Sequence, residues 1–302
     1  MARFSVRRPE KNVKTIFCCK CAVIVLFLLW PGSGARAGEK ELLNLAGEFY
    51  ARGEYYNAVT EILRYQQRYP GGDGYPDSMI LMGKSYYRGK NYTRAVEAFL
   101  SCHRSFRNSP AGDEGLYLSG FTHLMKGSPL EAMRLHDIYS VTYASGKYGE
   151  ELDRDRCFAS ALALDLPGSW NLIGKYRERH RDGKYRADID RLDGLLREEI
   201  NRPRRHLWAS VLGSIVIPGF GHFYTGNYAA GVLTFLTNAL FSFLIYDGWR
   251  NHNTFQMVFF SLAEATVYQY NIWSAVRGVD DYNRRQNDIF SRKVRLAITA
   301  PF

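Results

Sequence analysis

Three apolar segments lie close together near the end of the 302-residue chain, at positions 207–217, 228–246 and 255–276. The second and third approach the roughly 20 residues that an α-helix needs to cross a bilayer, and the stretch between them is too short for more than a tight turn. They therefore predict a membrane-embedded helical hairpin. The first segment is too short to span, so we interpret it as an interfacial or re-entrant helix.

The rest of the chain is polar enough to lower the mean hydropathy to −0.30, which describes a mixture of two kinds of sequence. A hydrophobic content of 46% is sufficient for packed cores, and the length allows about two domains. We expect a soluble domain joined to a membrane domain, and not a polytopic transporter.

The formal net charge of +10 is compatible with either nucleic acid or anionic lipid as a partner. Many basic residues stand directly beside the apolar segments, which is typical of contacts with lipid headgroups. They are Arg202, Arg204 and Arg205 before the first segment, and Arg277, Arg284, Arg285, Arg292, Lys293 and Arg295 after the last. This placement predicts binding to the lipid bilayer and to anionic headgroups, and no nucleic-acid partner.

The first 37 residues have the three-part layout of a secretory signal. Basic residues precede a short apolar run at 21–30, and small residues form a cleavage site after Ala37. We expect the chain to be exported and to begin near Gly38 after cleavage. An uncleaved membrane anchor is the alternative.

The middle of the chain contains an internal repeat: segments 52–59 and 88–96 are alike, and 127–132 is a fainter copy. The shared positions are a small residue (Ala46, Gly83, Gly120), a ring three positions later (Phe49, Tyr86, His123), an alanine (Ala58, Ala95, Ala132) and, in two units, a closing proline (Pro70, Pro110). These residues resemble the tetratricopeptide repeat (TPR), which has this pattern over roughly 34 residues. The resemblance implies an all-α, TPR-like helical-repeat solenoid. An unrelated array of helical hairpins would have the same architecture.

Regularity fades after residue 143, although 186–200 still has the apolar face of an amphipathic helix and could cap the solenoid. Pro203 ends this helix, and we place the domain boundary there. The predicted domains are a signal peptide (1–37), a TPR-like repeat domain (38–200), a basic linker (201–206), a membrane domain with an interfacial helix and two transmembrane helices (207–283), and a basic tail (284–302).

Solenoids bind peptides along a concave surface, and tyrosine suits such a surface because it combines a large apolar ring with a polar tip. The chain has 21 tyrosines. The candidates for contact with a protein partner are Tyr50, Tyr55, Tyr56, Tyr87 and Tyr92. Tyr86 occupies the aromatic position of the repeat, and we expect it in the core.

No catalytic, cofactor-binding or metal-binding set emerges from the sequence. The histidines of the middle segment show no pair at metal-ligand spacing, and the glycines at 71–74 lack the lysine and hydroxyl of a phosphate-binding loop. We therefore predict a protein that is not an enzyme and uses no cofactor. Cys102 and Cys157 could pair in an oxidising compartment or remain separately buried thiols.

A Pro-Gly-x-Gly-x-x-Tyr-x-Gly run separates the first two apolar segments. Its residues, which we call the glycine motif, are Pro218, Gly219, Gly221, His222, Tyr224 and Gly226, followed by Gly231. The run resembles the start of TM2-type membrane domains, where it precedes a short helical hairpin. The resemblance covers about 209–283 and implies architecture and membrane placement rather than an activity. We interpret His222 as a hydrogen-bonded structural residue.

Two polar residues interrupt the predicted spans at similar depth, Asn238 and Glu264. Lipid offers neither a hydrogen bond, so we expect Glu264 to bond to Asn238 or to face a second copy of the hairpin. Proton or ion passage is the functional alternative.

The predicted topology contains a conflict. Export places the repeats outside the cytoplasm, whereas the basic flanks of the hairpin favour the cytoplasmic side. We give precedence to the signal and expect a bacterial inner-membrane protein with periplasmic repeats, with the side of the C-terminus left open. The sequence thus predicts a membrane-anchored, non-enzymatic scaffold that binds a protein partner at the cell envelope. The alternative is a subunit of a membrane channel or transport assembly.

Overall fold

The computed structural model describes residues 33–144 and 146–302, and within them every regular element is an α-helix. This confirms the all-α prediction. The predicted signal peptide falls mostly on residues 1–32, which lie outside the described residues.

The helices α1 to α9 precede the apolar segments. They are α1 (Ser33–Ala51), α2 (Tyr55–Arg68), α3 (Tyr75–Arg88), α4 (Tyr92–Ser105), α5 (Pro110–Lys126), α6 (Pro129–Thr142), α7 (Gly149–Leu162), α8 (Leu166–Arg179) and α9 (Arg186–Ile200). The apolar segments form α10 (Leu207–Val216), the short α11 (Phe220–Tyr224), α12 (Tyr228–Arg250) and α13 (Thr254–Ala297).

The described residues form two compact units. One ends at Ser119, within α5, and the other runs from Gly120 to Phe302. The domain boundary predicted near Asn201 therefore lies inside the second unit, where α9 and the linker after it pack against α13.

The helical pairs recur at a constant interval of 37 residues. The second helix of each pair begins at Tyr55, Tyr92, Pro129 and Leu166, each 37 residues after the one before. The described residues thus contain four helical pairs, and α9 follows as a cap. Sequence analysis recognised three and missed the fourth, because Ser169 replaces the packing alanine and Cys157 replaces the small glycine.

The small residues of the repeat lie where one helix meets the ring of the next. A Cβ atom at Gly83 would lie 2.4 Å from the ring of Phe99, and one at Gly120 would lie 2.6 Å from the ring of His136. The alanines Ala58, Ala95 and Ala132 are fully buried. The repeat pattern therefore marks close helix crossings within each unit.

The longest helix, α13, has 44 residues and extends for roughly 66 Å. Its first half pairs with α12 to form the hairpin, and its C-terminal end packs against α7 and α9. The residues predicted as a basic tail continue this helix as far as Ala297, with Phe290 and Val294 buried. Their four-residue spacing places Phe290 and Val294 on one face of the helix, but it does not indicate which helix they pack against.

The crossing at Gly83 makes a direct prediction. Gly83→Ala should lower the melting temperature, because the buried ring of Phe99 cannot move away and overpacking costs about 1–3 kcal/mol. The matched control is Gly47→Ala in α1, where an added Cβ meets no atom within 4 Å. This control should melt at the wild-type temperature or above it, since alanine favours helix over glycine. Thermal unfolding of the full-length chain, followed by circular dichroism, checks both; equal melting of the two variants would contradict the crossing.

Candidate functional site

The glycine motif forms the base of the hairpin, where the backbones of several helices approach each other closely. Gly219 has a φ of +89°, and a Cβ there would lie 2.4 Å from the carbonyl oxygen of Gly231. A Cβ at Gly221 would lie 2.5 Å from that of Ala275, and one at Gly231 would lie 2.8 Å from the ring of Phe223. Larger residues would separate these elements, so the motif is required for the packing of this base.

Side-chain hydrogen bonds tie the same elements together. Asn271 Oδ1 accepts from the backbone N–H of Gly219 at 2.8 Å, while its Nδ2 donates to the carbonyl of Ser214 at 3.0 Å. Ser214 Oγ accepts from the N–H of Gly221 at 2.8 Å, and Ser210 Oγ donates to the carbonyl of Ala275 at 3.0 Å. The two serines and the asparagine are buried, so each hydrogen bond replaces one lost to water.

Sequence reasoning missed these three residues. The available signal was the pair of serines four positions apart in an otherwise apolar helix, which places both hydroxyls on one face.

The other motif side chains also have partners. His222 Nε2 lies 3.1 Å from Ser274 Oγ, and Tyr224 OH accepts from the backbone N–H of His206 at 3.1 Å. Gly226, with a φ of +83°, follows α11 and allows the chain to turn into α12. This arrangement positions helices and shows no exposed nucleophile or acid.

The hydrogen bond predicted between Asn238 and Glu264 is not formed. The two helices are nevertheless in contact close to these residues, where the ring centroids of Phe241 and Phe260 lie 5.8 Å apart. Asn238 Nδ2 donates instead to the carbonyl of Thr234, one turn earlier in its own helix, at 2.7 Å. Asn238 Oδ1 and Glu264 Oε2 are buried atoms with no hydrogen-bond partner among the described residues.

Of the described helices, α12 is the one whose length and composition would allow it to cross a membrane, and only 11% of its most apolar stretch is buried. The second predicted span, at the start of α13, is more polar because Gln256, Glu264 and Gln269 interrupt it. The hairpin nevertheless exposes large apolar side chains on both of its helices. These include Val232, Leu233, Phe235, Leu236, Leu240 and Phe243 on α12, with Val258, Phe259 and Leu262 on α13.

Exposed aromatic side chains border this apolar surface at both ends. Tyr228 and Trp249 stand at opposite ends of α12, with Trp208 and Trp273 on the neighbouring helices. The 21 steps along the helix from Tyr228 to Trp249 correspond to roughly 31 Å, which is close to the 30 Å hydrocarbon thickness of a bilayer. Tyrosine and tryptophan are the residues that concentrate at membrane–water interfaces.

A buried ion-pair network holds the C-terminal end of α13 against the last repeats. Arg154 is fully buried, lies 2.7 Å from Asp155 and 3.6 Å from Asp188, and donates to the carbonyl of Thr299 at 3.0 Å. Asp188 in turn accepts from the N–H and the hydroxyl of Thr299, both at 2.9 Å. Lys293 extends the contact by pairing with Glu198 at 2.6 Å. This network is not evident from the sequence, because Arg154, Asp188 and Thr299 lie more than 30 residues apart.

The candidate tyrosines of the repeats differ in exposure. Tyr56 is 64% exposed, and Tyr50, Tyr55 and Tyr92 are half-buried. Tyr87 is only 8% exposed and contacts the ring of Tyr92 edge-on at 5.5 Å, so it is a core residue and not an open contact site.

The expectation for Tyr86 also needs correction. It is half-buried, with the guanidinium of Arg94 over its ring at 5.7 Å. Adjacent tyrosines on a helix differ by about 100° in direction, and the aromatic position of the repeat did not reveal which one faces inward.

Cys102 and Cys157 are both free and buried. Burial, with smaller effects from nearby carboxylates, raises the pKa of each thiol to about 12, so neither is a reactive thiolate near neutral pH. Among the described residues no group of three or more His, Cys, Asp or Glu side chains is placed to hold a metal ion.

The repeats are similar in sequence to one known protein family. Residues 36–149 match the family model of YfiO, described as an outer membrane lipoprotein. The matched segment contains most of α1 and all of α2 to α6, which supports the TPR-like solenoid and an association with the cell envelope. The hairpin lies outside the match. A comparison with curated proteins finds no match.

The ion-pair network leads to a prediction about stability. Arg154→Ala should destabilise the chain by about 3–5 kcal/mol, because it removes the cation that Asp155 and Asp188 share and leaves Asp188 with Arg191 alone. The matched control is Arg134→Ala, which removes an exposed pair with Glu131 and should cost less than about 1 kcal/mol. Urea unfolding of the full-length chain in detergent checks both. Equal destabilisation of the two variants would show that the network contributes nothing.

Proposed function

We propose that this protein is a membrane-anchored, TPR-like scaffold that binds a protein partner at the cell envelope and catalyses no reaction. The observation that carries the proposal is α13, a continuous helix that belongs to the apolar hairpin at one end and packs against the last repeats at the other. The similarity of the repeats to an outer membrane lipoprotein family supports an envelope role.

Insertion into a bilayer is supported by the exposed apolar surface of the hairpin. Soluble proteins rarely leave so many large apolar side chains of one helical hairpin in contact with water. A bilayer would cover it, and the aromatic residues at its two ends would then lie at the two interfaces.

A spanning hairpin places its two ends on one side of the membrane. Since the end of α13 packs against α7 and α9, the proposal also places the C-terminus on the side of the repeats. We propose that this side is the periplasm of a bacterial cell and that the hairpin lies in the inner membrane.

The basic flanks favour the opposite orientation. Several of them form ion pairs, Arg202 and Arg204 with Glu199 and Lys293 with Glu198. Because the positive-inside tendency counts Lys and Arg rather than net charge, these pairs do not remove the conflict, and the proposed orientation rests on the predicted export signal.

We assign partner binding to the repeats, with Tyr56 as the most accessible of the candidate tyrosines. A tyrosine on an exposed helical surface offers a large rigid contact area, which is a common property of protein interfaces. The basic flanks add contacts to anionic lipid, and no feature favours nucleic acid.

One observation favours the alternative function, a subunit of a channel or transport assembly. Asn238 Oδ1 and Glu264 Oε2 are buried in the hairpin and have no hydrogen-bond partner within residues 33–144 and 146–302. Polar groups inside a membrane often mark transport pathways.

Crosslinking in intact cells tests the scaffold. A photoreactive amino acid in place of Tyr56 should give a reproducible adduct with another protein, whereas the same amino acid in place of the buried Tyr87 should not. Mass spectrometry of the adducts provides the measurement. The absence of a reproducible protein adduct at position 56 would contradict the proposal.

Glu264→Gln separates the two functions, because the amide keeps its shape but cannot exchange a proton. A scaffold variant should restore a strain lacking the protein as well as wild type does, and should give the same adduct at position 56. A folded variant that crosslinks normally but fails to restore the strain would support the transport function instead.

A further inference from the structure

The basic residues that flank the hairpin are not equivalent. Four of them have a carboxylate partner: Arg202 and Arg204 contact Glu199 at 2.9 and 3.3 Å, Lys293 contacts Glu198 at 2.6 Å, and Arg284 contacts Asp281 at 2.9 Å. Within the part of the chain that the structure describes, Arg205 and Arg277 form no ion pair. Their positive charges are therefore available to an external anion.

Arg205 is held in a defined position. Its backbone N–H donates to Asn283 Oδ1 at 3.2 Å, and its carbonyl accepts from Asn283 Nδ2 at 3.0 Å. Its guanidinium lies over the ring of Tyr224 at 4.7 Å and near that of Tyr282 at 5.4 Å. Ring contacts of this kind fix a cation without neutralising it. They also give Tyr224 of the glycine motif a role in orienting Arg205.

Arg277 has a similar environment on the outside of α13. Its guanidinium lies 3.7 Å from the ring centroid of Trp273, one turn earlier, and both side chains are exposed. A tryptophan at the end of an apolar surface is typical of the membrane interface. The cation is thus held just beyond the apolar surface.

The distance along α13 decides which of the unpaired arginines can reach lipid headgroups. Arg277 directly follows the apolar segment, which ends at residue 276. Arg205 lies beside Tyr282, six residues further along α13, which at 1.5 Å per residue is roughly 9 Å beyond the end of that segment. The headgroup region of a bilayer extends roughly 5–8 Å on each side, so Arg277 lies within this region and Arg205 lies at its outer edge. Three further arginines without a carboxylate partner lie roughly 14 to 29 Å beyond that point: Arg285, Arg292 and Arg295.

We propose that Arg205 and Arg277 each bind the phosphate of an anionic phospholipid at the interface from which the hairpin emerges. The inference rests on the proposed membrane insertion. A guanidinium offers two parallel N–H groups that match two phosphate oxygens. In Arg205 the Nε atom is buried, so the two Nη groups would contact the phosphate. The other basic flanks are either neutralised by carboxylates or too far from the bilayer to contribute.

Lipid titration of the full-length chain in nonionic detergent tests this site. Short-chain phosphatidylglycerol, phosphatidylcholine and inorganic phosphate are added in parallel, and bound lipid is counted by native mass spectrometry. Wild type should retain phosphatidylglycerol in preference to phosphatidylcholine. Arg205→Gln and Arg277→Gln should each weaken phosphatidylglycerol binding about fivefold, which is the effect of one basic residue beside an anionic surface.

Arg284→Gln is the matched control, since it removes one positive charge from the same helix but one that Asp281 already compensates. It should leave the affinity within about twofold of wild type. An equal loss in this variant, or wild-type binding by both Arg205→Gln and Arg277→Gln, would overturn the proposal. Competition by inorganic phosphate at the lipid concentration would overturn it too, because it would identify a site for free phosphate.

Two further measurements keep the result interpretable. Arg277 is exposed, so Arg277→Gln reports on the site even if Arg205→Gln destabilises the base of the hairpin. Extraction of cell membranes at alkaline pH measures insertion separately: release of wild type would refute the membrane anchor and with it this proposal, whereas retention with unchanged lipid affinities would refute the lipid site alone.

Discussion

The continuity of α13 is the constraint on which the second unit depends. This helix runs unbroken from the hairpin turn to the last repeats, so it sets the position of every contact made along it. Helix α9 and the linker run antiparallel to it, with contacts from Thr299, just after the helix, back to Asn283. The buried Arg154 holds one end, while the close approach at the glycine motif holds the base of the hairpin. Removing either contact would expose apolar side chains of this long helix to solvent or leave buried charged groups without their partners.

This construction explains why the glycine motif and the basic flanks occur together. The glycines allow α10 and α11 to lie against α13, and this packing brings Arg205 beside Tyr224 and Tyr282. Carboxylates of α9 then neutralise the arginines on the repeat side of that point. A flank that looks uniformly basic in the sequence is therefore divided into structural ion pairs and cations that face the interface.

Local and periodic features of the fold could be predicted from the sequence, whereas contacts between distant segments could not. Apolar length identified the hairpin, and small residues at regular spacing identified the first repeats. The fourth repeat was missed because Ser169 and Cys157 fill the small positions with residues of a different type. The burial of Phe290 and Val294 and the pairing of Arg154 with Asp188 depend on which helices meet, which neither periodicity nor composition reveals. The bond expected between Asn238 and Glu264 is not formed, and Asn238 Nδ2 donates instead to the carbonyl of Thr234 in its own helix.

Membrane spanning by the hairpin is the central claim, and the accessibility of single cysteines tests it most directly. In a chain without its native cysteines, cysteine is introduced at Asn251 in the hairpin turn or at Val141 on the exposed surface of α6. A membrane-impermeant maleimide is then applied to cells whose outer membrane alone has been opened, and again after lysis. A spanning hairpin predicts labelling of position 141 in the first condition and of position 251 only after lysis. Labelling of both positions in the first condition would place the turn and the repeats on one side and would contradict the account.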